Sequence, residues 1–208
     1  MEAGSRRKEI MFCPADAARA LDRPTLLLRN QMPKAKNAIT LGAFAVASLT
    51  SLSTAHAQVS TSGYVLPMNL AFEAALEAVQ TCSAKGYAVT ATVVDVAGTP
   101  QAVLRGDHAA IHTKDSSYRK AYTAASMGPV FHFERTSQFL DLLISKFPPL
   151  AAQSLASTPN VTTLPGGVAI KVGDEIVAGI GVGGSPGGDK DEACALAAVA
   201  KIKGKLSH

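Results

Sequence analysis

The chain has 208 residues, 47% of them hydrophobic and only 5% aromatic, with a formal net charge of +4. That excess sits in the first 57 residues, which hold eight of the 20 Lys and Arg but only four of the 16 Asp and Glu; the other 151 residues carry 12 of each sign. A neutral body excludes a nucleic-acid or anionic-surface partner recruited by net charge, and 151 residues suit one domain that buries about two thirds of its unfolded surface.

In chain order, residues 1–31 read as an upstream leader, with Arg6, Arg7, Lys8, Arg19, Arg23 and Arg29 in no pattern. Translation is expected to start at Met32, a cytoplasmic extension or uncleaved anchor being the alternative. Residues 32–57 read as a signal peptide: Lys34 and Lys36 precede an uncharged apolar run from Ala38 to Leu52, and Ala55-His56-Ala57 offers a small-x-small cleavage site. The run is short of the ~20 residues that span a bilayer. The product, residues 58–208, is therefore expected to be periplasmic or secreted, without a membrane span.

Leu70, Ala71, Ala74, Ala75, Ala78, Val79 and Cys82 recur at helical spacing, predicting a helix over 67–85 that Gly86 stops. Tyr87 to Asp95 is rich in β-formers, Ala97-Gly98-Thr99-Pro100 marks a turn, and Gln101 to Arg105 reads as the partner strand. A helix is expected over 113–127, with Thr113 as N-cap and Gly128-Pro129 as its stop. A second runs over 133–146, and Pro148-Pro149 then break the chain. Residues 150–163 read as an irregular loop with a short strand, followed by a hairpin of Val168–Val172 and Glu175–Val182. Asp189 and Glu192 fit a capping box at the start of a last helix. Four to five antiparallel strands in two hairpins with flanking helices make the class α+β. Gly179, Gly181, Gly183 and Gly184 imply close backbone approach or a curving strand.

Cys82 and Cys194 remain once the leader and its Cys13 are removed. In an oxidising compartment, with the first and last helices antiparallel, they are expected to form a disulfide, two buried thiols being the alternative. The glycine-rich stretch Gly179–Gly184 lacks the βαβ context of a dinucleotide site. Ser185 fits a nucleophile elbow by spacing alone, because Pro186 removes the N–H that would help form the oxyanion hole.

Polar chemistry concentrates in residues 105–115. His108 and His112 offer imidazoles suited to haem iron, Zn or Cu, with His112 the first choice of ligand and His108 the second. His132, between Phe131 and Phe133, ranks third. Arg105 and Lys120 can pair with carboxylates, including haem propionates. Ile111, Tyr118, Met127, Phe131 and Phe133 are available to line an apolar slot.

Leu164-Pro165-Gly166-Gly167-Val168, the strand Ile176–Gly184 and Asp191-Glu192-Ala193-Cys194-Ala195 resemble the C-terminal half of the GlcG/HbpS family of haem-binding proteins. Val93–Gly98 and Arg119–Ala124 fit the same pattern in the same order. The resemblance spans about residues 66–206. It implies an antiparallel sheet with packed helices, assembly into homo-oligomers, and haem as cofactor. Asp95, Lys120, Asp191 and Glu192 match positions that recur in that family and are expected as a charged cluster at one end of the sheet. The function expected is exported haem binding, sensing, transport or slow degradation. The alternatives are an enzyme or accessory protein acting on a small organic acid held by Arg105 and Lys120, and a structural partner of a periplasmic oxidoreductase.

Overall fold

The computed structural model describes residues 62–207, so the leader and signal segment expected over 1–57 lie outside the described residues. The elements in order are α1 (Met68–Ser83), β1 (Thr90–Asp95), β2 (Pro100–Arg105), α2 (Thr113–Phe131), α3 (Thr136–Lys146), α4 (Pro149–Ala156), β3 (Gly167–Val172), β4 (Glu175–Gly183) and α5 (Gly188–Lys203). The four strands form one antiparallel sheet in the order β2-β1-β4-β3. This is the α+β class expected, with both hairpins in place. No helix among the described residues is long and apolar enough to cross a membrane.

Strand alternation sorts the sheet into two unlike faces. Ala91 and Val93 of β1 and Ala178, Ile180 and Val182 of β4 point to one side, where they join Leu70, Ala74, Ala78, Ala195, Ala198 and Ile202 in the main core under α1 and α5. The Cys82–Cys194 disulfide ties those two helices, with Cα atoms 5.7 Å apart and a sequence separation of 112. Closing so long a loop stabilises the fold by up to about 4 to 5 kcal/mol in the chain-entropy account.

The opposite face is made of small and hydroxyl residues. Thr90 and Thr92 alternate along β1, and Gly179, Gly181 and Gly183 along β4. A Cβ on Gly181 would strike the Ser117 carbonyl oxygen, and one on Gly179 that of Ala121, so α2 lies with its backbone directly on the strand. Ser117 donates to the Lys114 carbonyl and accepts from Thr92 across a 2.8 Å bond, while Thr113 and Thr90 are joined at 2.7 Å. Close backbone approach, one of the two readings of these glycines, is what the strand uses.

Four sequence expectations are corrected. First, α2 does not stop at Gly128-Pro129; it runs to Phe131 and ends at His132 in the left-handed region. Pro129 has no N–H to satisfy, and the turn closes because the N–H of Phe133 reaches the Gly128 carbonyl at 3.2 Å. Second, α3 begins at Thr136 rather than 133, because the preceding residues pair with the sheet edge: Ala169 N–H donates to the Glu134 carbonyl, and Arg135 bridges Val168. Third, Pro149 opens a helix instead of breaking the chain, since proline at the first helical position loses no bond; the short strand expected within 150–163 is replaced by α4. Finally, α5 begins at Gly188 with Gly187 before it, so Asp189 is not the N-cap and no capping box forms.

Candidate functional site

Two regions hold the charged residues singled out by sequence. At the end of the sheet where β4 leaves and β3 enters, Lys120 of α2 meets Asp191 of α5, Nζ to Oδ2 at 2.6 Å, with both side chains 4% exposed. The other Asp191 oxygen accepts from the Ser185 N–H at 3.0 Å. Gly166, at φ +125°, covers the pair so closely that a Cβ would come within 2.9 Å of Lys120 Nζ and of Asp191 Cβ. Only glycine serves there, for both its backbone angle and its lack of a side chain. Glu192, also buried, turns the other way: Oε1 accepts from the Ser137 hydroxyl at 2.8 Å and Oε2 from the Ser137 N–H at 3.2 Å. That N–H belongs to the first turn of α3, where donors lack helical partners and a negative charge is favoured. Consecutive carboxylates thus fasten α5 to α2 and to α3.

Asp95 does not join them. It pairs with Ala178, at the opposite end of β1 from Thr90 and its partner Gly183. Its Oδ1 accepts from the Ala97 and Thr99 N–H groups, each at 2.9 Å, and so shapes the β1–β2 turn. The expected four-residue charged cluster is therefore three residues, Lys120, Asp191 and Glu192. The first of these is enclosed and committed to a carboxylate, whereas Arg105 is exposed.

The second region is the connection from β2 into α2. Arg105 directs both Nε, at 2.8 Å, and a terminal guanidinium nitrogen to the Ala109 carbonyl, which folds residues 106–112 back on the strand. His108 sits at φ +61° in the resulting turn, and His112 is the residue before the first turn of α2. Both imidazoles are exposed and make no hydrogen bond among the described residues. Below them, α2 diverges from β2 and leaves an open cleft of about 330 Å³ lined by Thr92, Pro100, Val103, Lys114, Asp115 and Tyr118. Ile111, 85% exposed, stands at the same helix end. On the other side of β2 a groove of about 610 Å³ runs toward α1, with Leu76, Tyr87, Leu104, Arg105 and Asp107 among its lining residues. Val103 lines both depressions, and the loop carrying the two histidines connects Asp107 at the rim of one to Lys114 at the rim of the other.

The apolar slot expected near His112 is not assembled from the residues proposed for it. Met127, Phe131 and Phe133 belong to a separate small core with Phe139, Leu143 and Val161. At 1.5 Å per residue they lie roughly 22 Å or more along α2 from His112. Phe131 and Phe133 both pack on the Phe139 ring, with centroids 5.9 and 5.1 Å away. His132 caps α2 at that far end. Tyr118 does line the cleft. Lys114 and Asp115 lie in the polar segment 105–115, but the cleft they line was missed, although Lys114, Tyr118 and Tyr122 recur every four residues and share one face of α2.

A family described as haem degrading protein HbpS-like matches residues 66–200. Among solved structures, a crystal structure of HbpS is 34% identical, covering 74% of this chain and 99% of that one at a TM-score of 0.60. A double mutant of Streptomyces reticuli HbpS is 35% identical over 72% of this chain and 92% of that one, also at 0.60. A PduOC–haem complex shares the fold at 22% identity and a TM-score of 0.56, covering 67% of this chain and 96% of that one. No curated protein matches the chain.

Proposed function

Because the chain belongs to the HbpS-like family, we propose that it is an exported haem-binding protein, acting in haem capture, sensing, transport or slow degradation. The ligand enters the cleft between β2 and the first turns of α2, with His112 as the iron ligand and His108 as the second candidate. One observation carries this reading: an open, partly apolar cleft lies at the helix end where His112 presents an imidazole that no neighbour occupies. The donor set fits haem. A neutral imidazole suits the iron, Tyr118, Val103 and Pro100 suit the macrocycle, and Arg105 and Lys114 offer positive charge for propionates. Haem, when bound, supplies the redox chemistry of its iron; the chain supplies the ligand, the apolar wall and the charges that orient it.

Export is supported by the signal-like segment at 32–57 and by the Cys82–Cys194 bond, since such bonds persist in oxidising compartments. A homo-oligomer completes the reading, supported by apolar side chains left exposed on α3 and α4. The small-acid reading loses its carboxylate clamp, because Lys120 is enclosed with Asp191.

The test is a haemin titration of residues 58–208 followed by absorption, repeated with His112→Ala and His108→Ala. A saturable, stoichiometric Soret shift altered by His112→Ala alone is expected. A shift altered only by His108→Ala moves the ligand to that residue, and no saturable binding overturns the reading.

A further inference from the structure

Of the six residues that line the cleft between β2 and α2, one has a side-chain donor left free to take a metal. Pro100 and Val103 carry none. Thr92 is buried, and its hydroxyl donates to Ser117 at 2.8 Å. Lys114 and Asp115 are paired with each other at 3.3 Å. There remains Tyr118, whose hydroxyl makes no hydrogen bond among the described residues. His108 and His112 stand at the margin of the cleft and are not part of its lining.

Tyr118 is also a well-anchored donor. Its ring is half-buried, packs beside Val94, Ala121 and Ala125, and lies 6.0 Å from the Tyr122 ring. Such packing holds the phenol oxygen in place, so little rotamer freedom is lost when that oxygen takes a ligand. A phenolate is an anionic oxygen donor and a known type of axial ligand for haem iron. It binds Fe(III) more strongly than Fe(II), because the attraction between anion and metal grows with the charge on the metal.

We infer that Tyr118 is an iron ligand, its phenolate holding ferric haem from inside the cleft while His112 offers an imidazole at the margin. The phenol proton passes to solvent as the bond between oxygen and iron forms, so ligation consumes no oxidant or other reactant. An electron from an external reductant lowers the charge on the iron and weakens that bond, which makes the site selective for the ferric state. The inference rests on the haem reading above and adds an oxidation-state preference to it.

Haemin titrations of the protein produced from the full chain test it, with Tyr118→Phe as the variant, since that change removes the hydroxyl and keeps the ring. The parent complex is expected to show resonance Raman bands of an iron-bound phenolate. Tyr118→Phe is expected to lose those bands, to bind haemin at least about tenfold more weakly and to raise the reduction potential of the bound haem. Affinity for haem reduced with dithionite is expected to be the same in both proteins. Circular dichroism checks that the variant is folded. If the parent binds haemin without phenolate bands, or if the variant keeps the parent's affinity and potential, Tyr118 is only a wall of the cleft and the inference falls while the haem reading stands. An equal loss of affinity for ferric and ferrous haem overturns the oxidation-state preference. A parent with no saturable binding overturns the haem reading and the inference together.

Discussion

The end of the sheet around Lys120 and the connection carrying His108 and His112 are built on opposite terms. At the first, two acids and a lysine are buried, each bonded to a named neighbour, and a glycine closes over them. At the second, two imidazoles stand in solvent beside an open cleft. Both hold residue types that sequence reasoning associates with catalysis or ligand binding. The contrast teaches that residue type alone does not tell a charge that fastens helices from a group left open to solvent; enclosure and hydrogen bonding do. Lys120, Asp191 and Glu192 hold α2, α5 and α3 together, and the two exposed imidazoles stand on a connection held by a single arginine on a backbone carbonyl.

The sharpest way to break this comparison is Lys120→Met. It leaves the Asp191 carboxylate buried without its cation, and a loss of about 3 to 5 kcal/mol is expected in denaturant unfolding. Adding Asp191→Leu to it is expected to recover much of that loss, because a matched apolar pair strands no charge. If Lys120→Met unfolds like the parent yet loses haem, the closed end is functional and the division made here is wrong. Replacing both Cys82 and Cys194 by Ala is expected to cost about 2 to 5 kcal/mol, read from the same unfolding curves, with haem binding by the folded fraction retained. Gly181→Ala forces a methyl group into the Ser117 carbonyl and is expected to cost about 1 to 3 kcal/mol. Because it lifts α2 from the sheet, it should also alter the haem spectrum, which the other two changes should not. The smallest effect on stability belongs to His112→Ala, where no shift of the unfolding midpoint is expected and only the haem spectrum changes.

Much of the fold was legible in the sequence because its signals are local. Alternation and turn residues marked both hairpins, the Ala-rich spacing marked α1, and an even pair of cysteines in a chain expected to be exported marked the disulfide. The failures have a common cause in residues whose role depends on what they meet. Pro149 and Pro129 read as breakers, yet one sits where no N–H is needed and the other lies inside the last turn of a helix that runs on to Phe131 and closes through Phe133. Asp189 and Glu192 have the spacing of a capping box, but Glu192 is drawn to the first turn of α3, which is remote in sequence. Lys120 was the hardest to read. On α2 it shares a buried face with Thr113, Ser117 and Thr123, a set that hydrophobic periodicity assigns to solvent. The clue lay in the strands: Thr90 and Thr92 on β1 and Gly179, Gly181 and Gly183 on β4, all at period two, describe a sheet face that asks for a small polar helix.

That row of glycines gives β4 a parity. Its odd positions, 179, 181 and 183, are bare for α2, and its even ones, 178, 180 and 182, carry Ala, Ile and Val into the main core. A single residue inserted between 178 and 183 would exchange the two sets for the remainder of the strand, driving branched side chains into the backbone of α2 and emptying the core beneath α5. Two inserted residues would restore the faces and shift only the register. The tolerance of this strand to length change is therefore a matter of odd and even, while the turn at Gly173-Asp174, outside that constraint, is where the chain is free to grow.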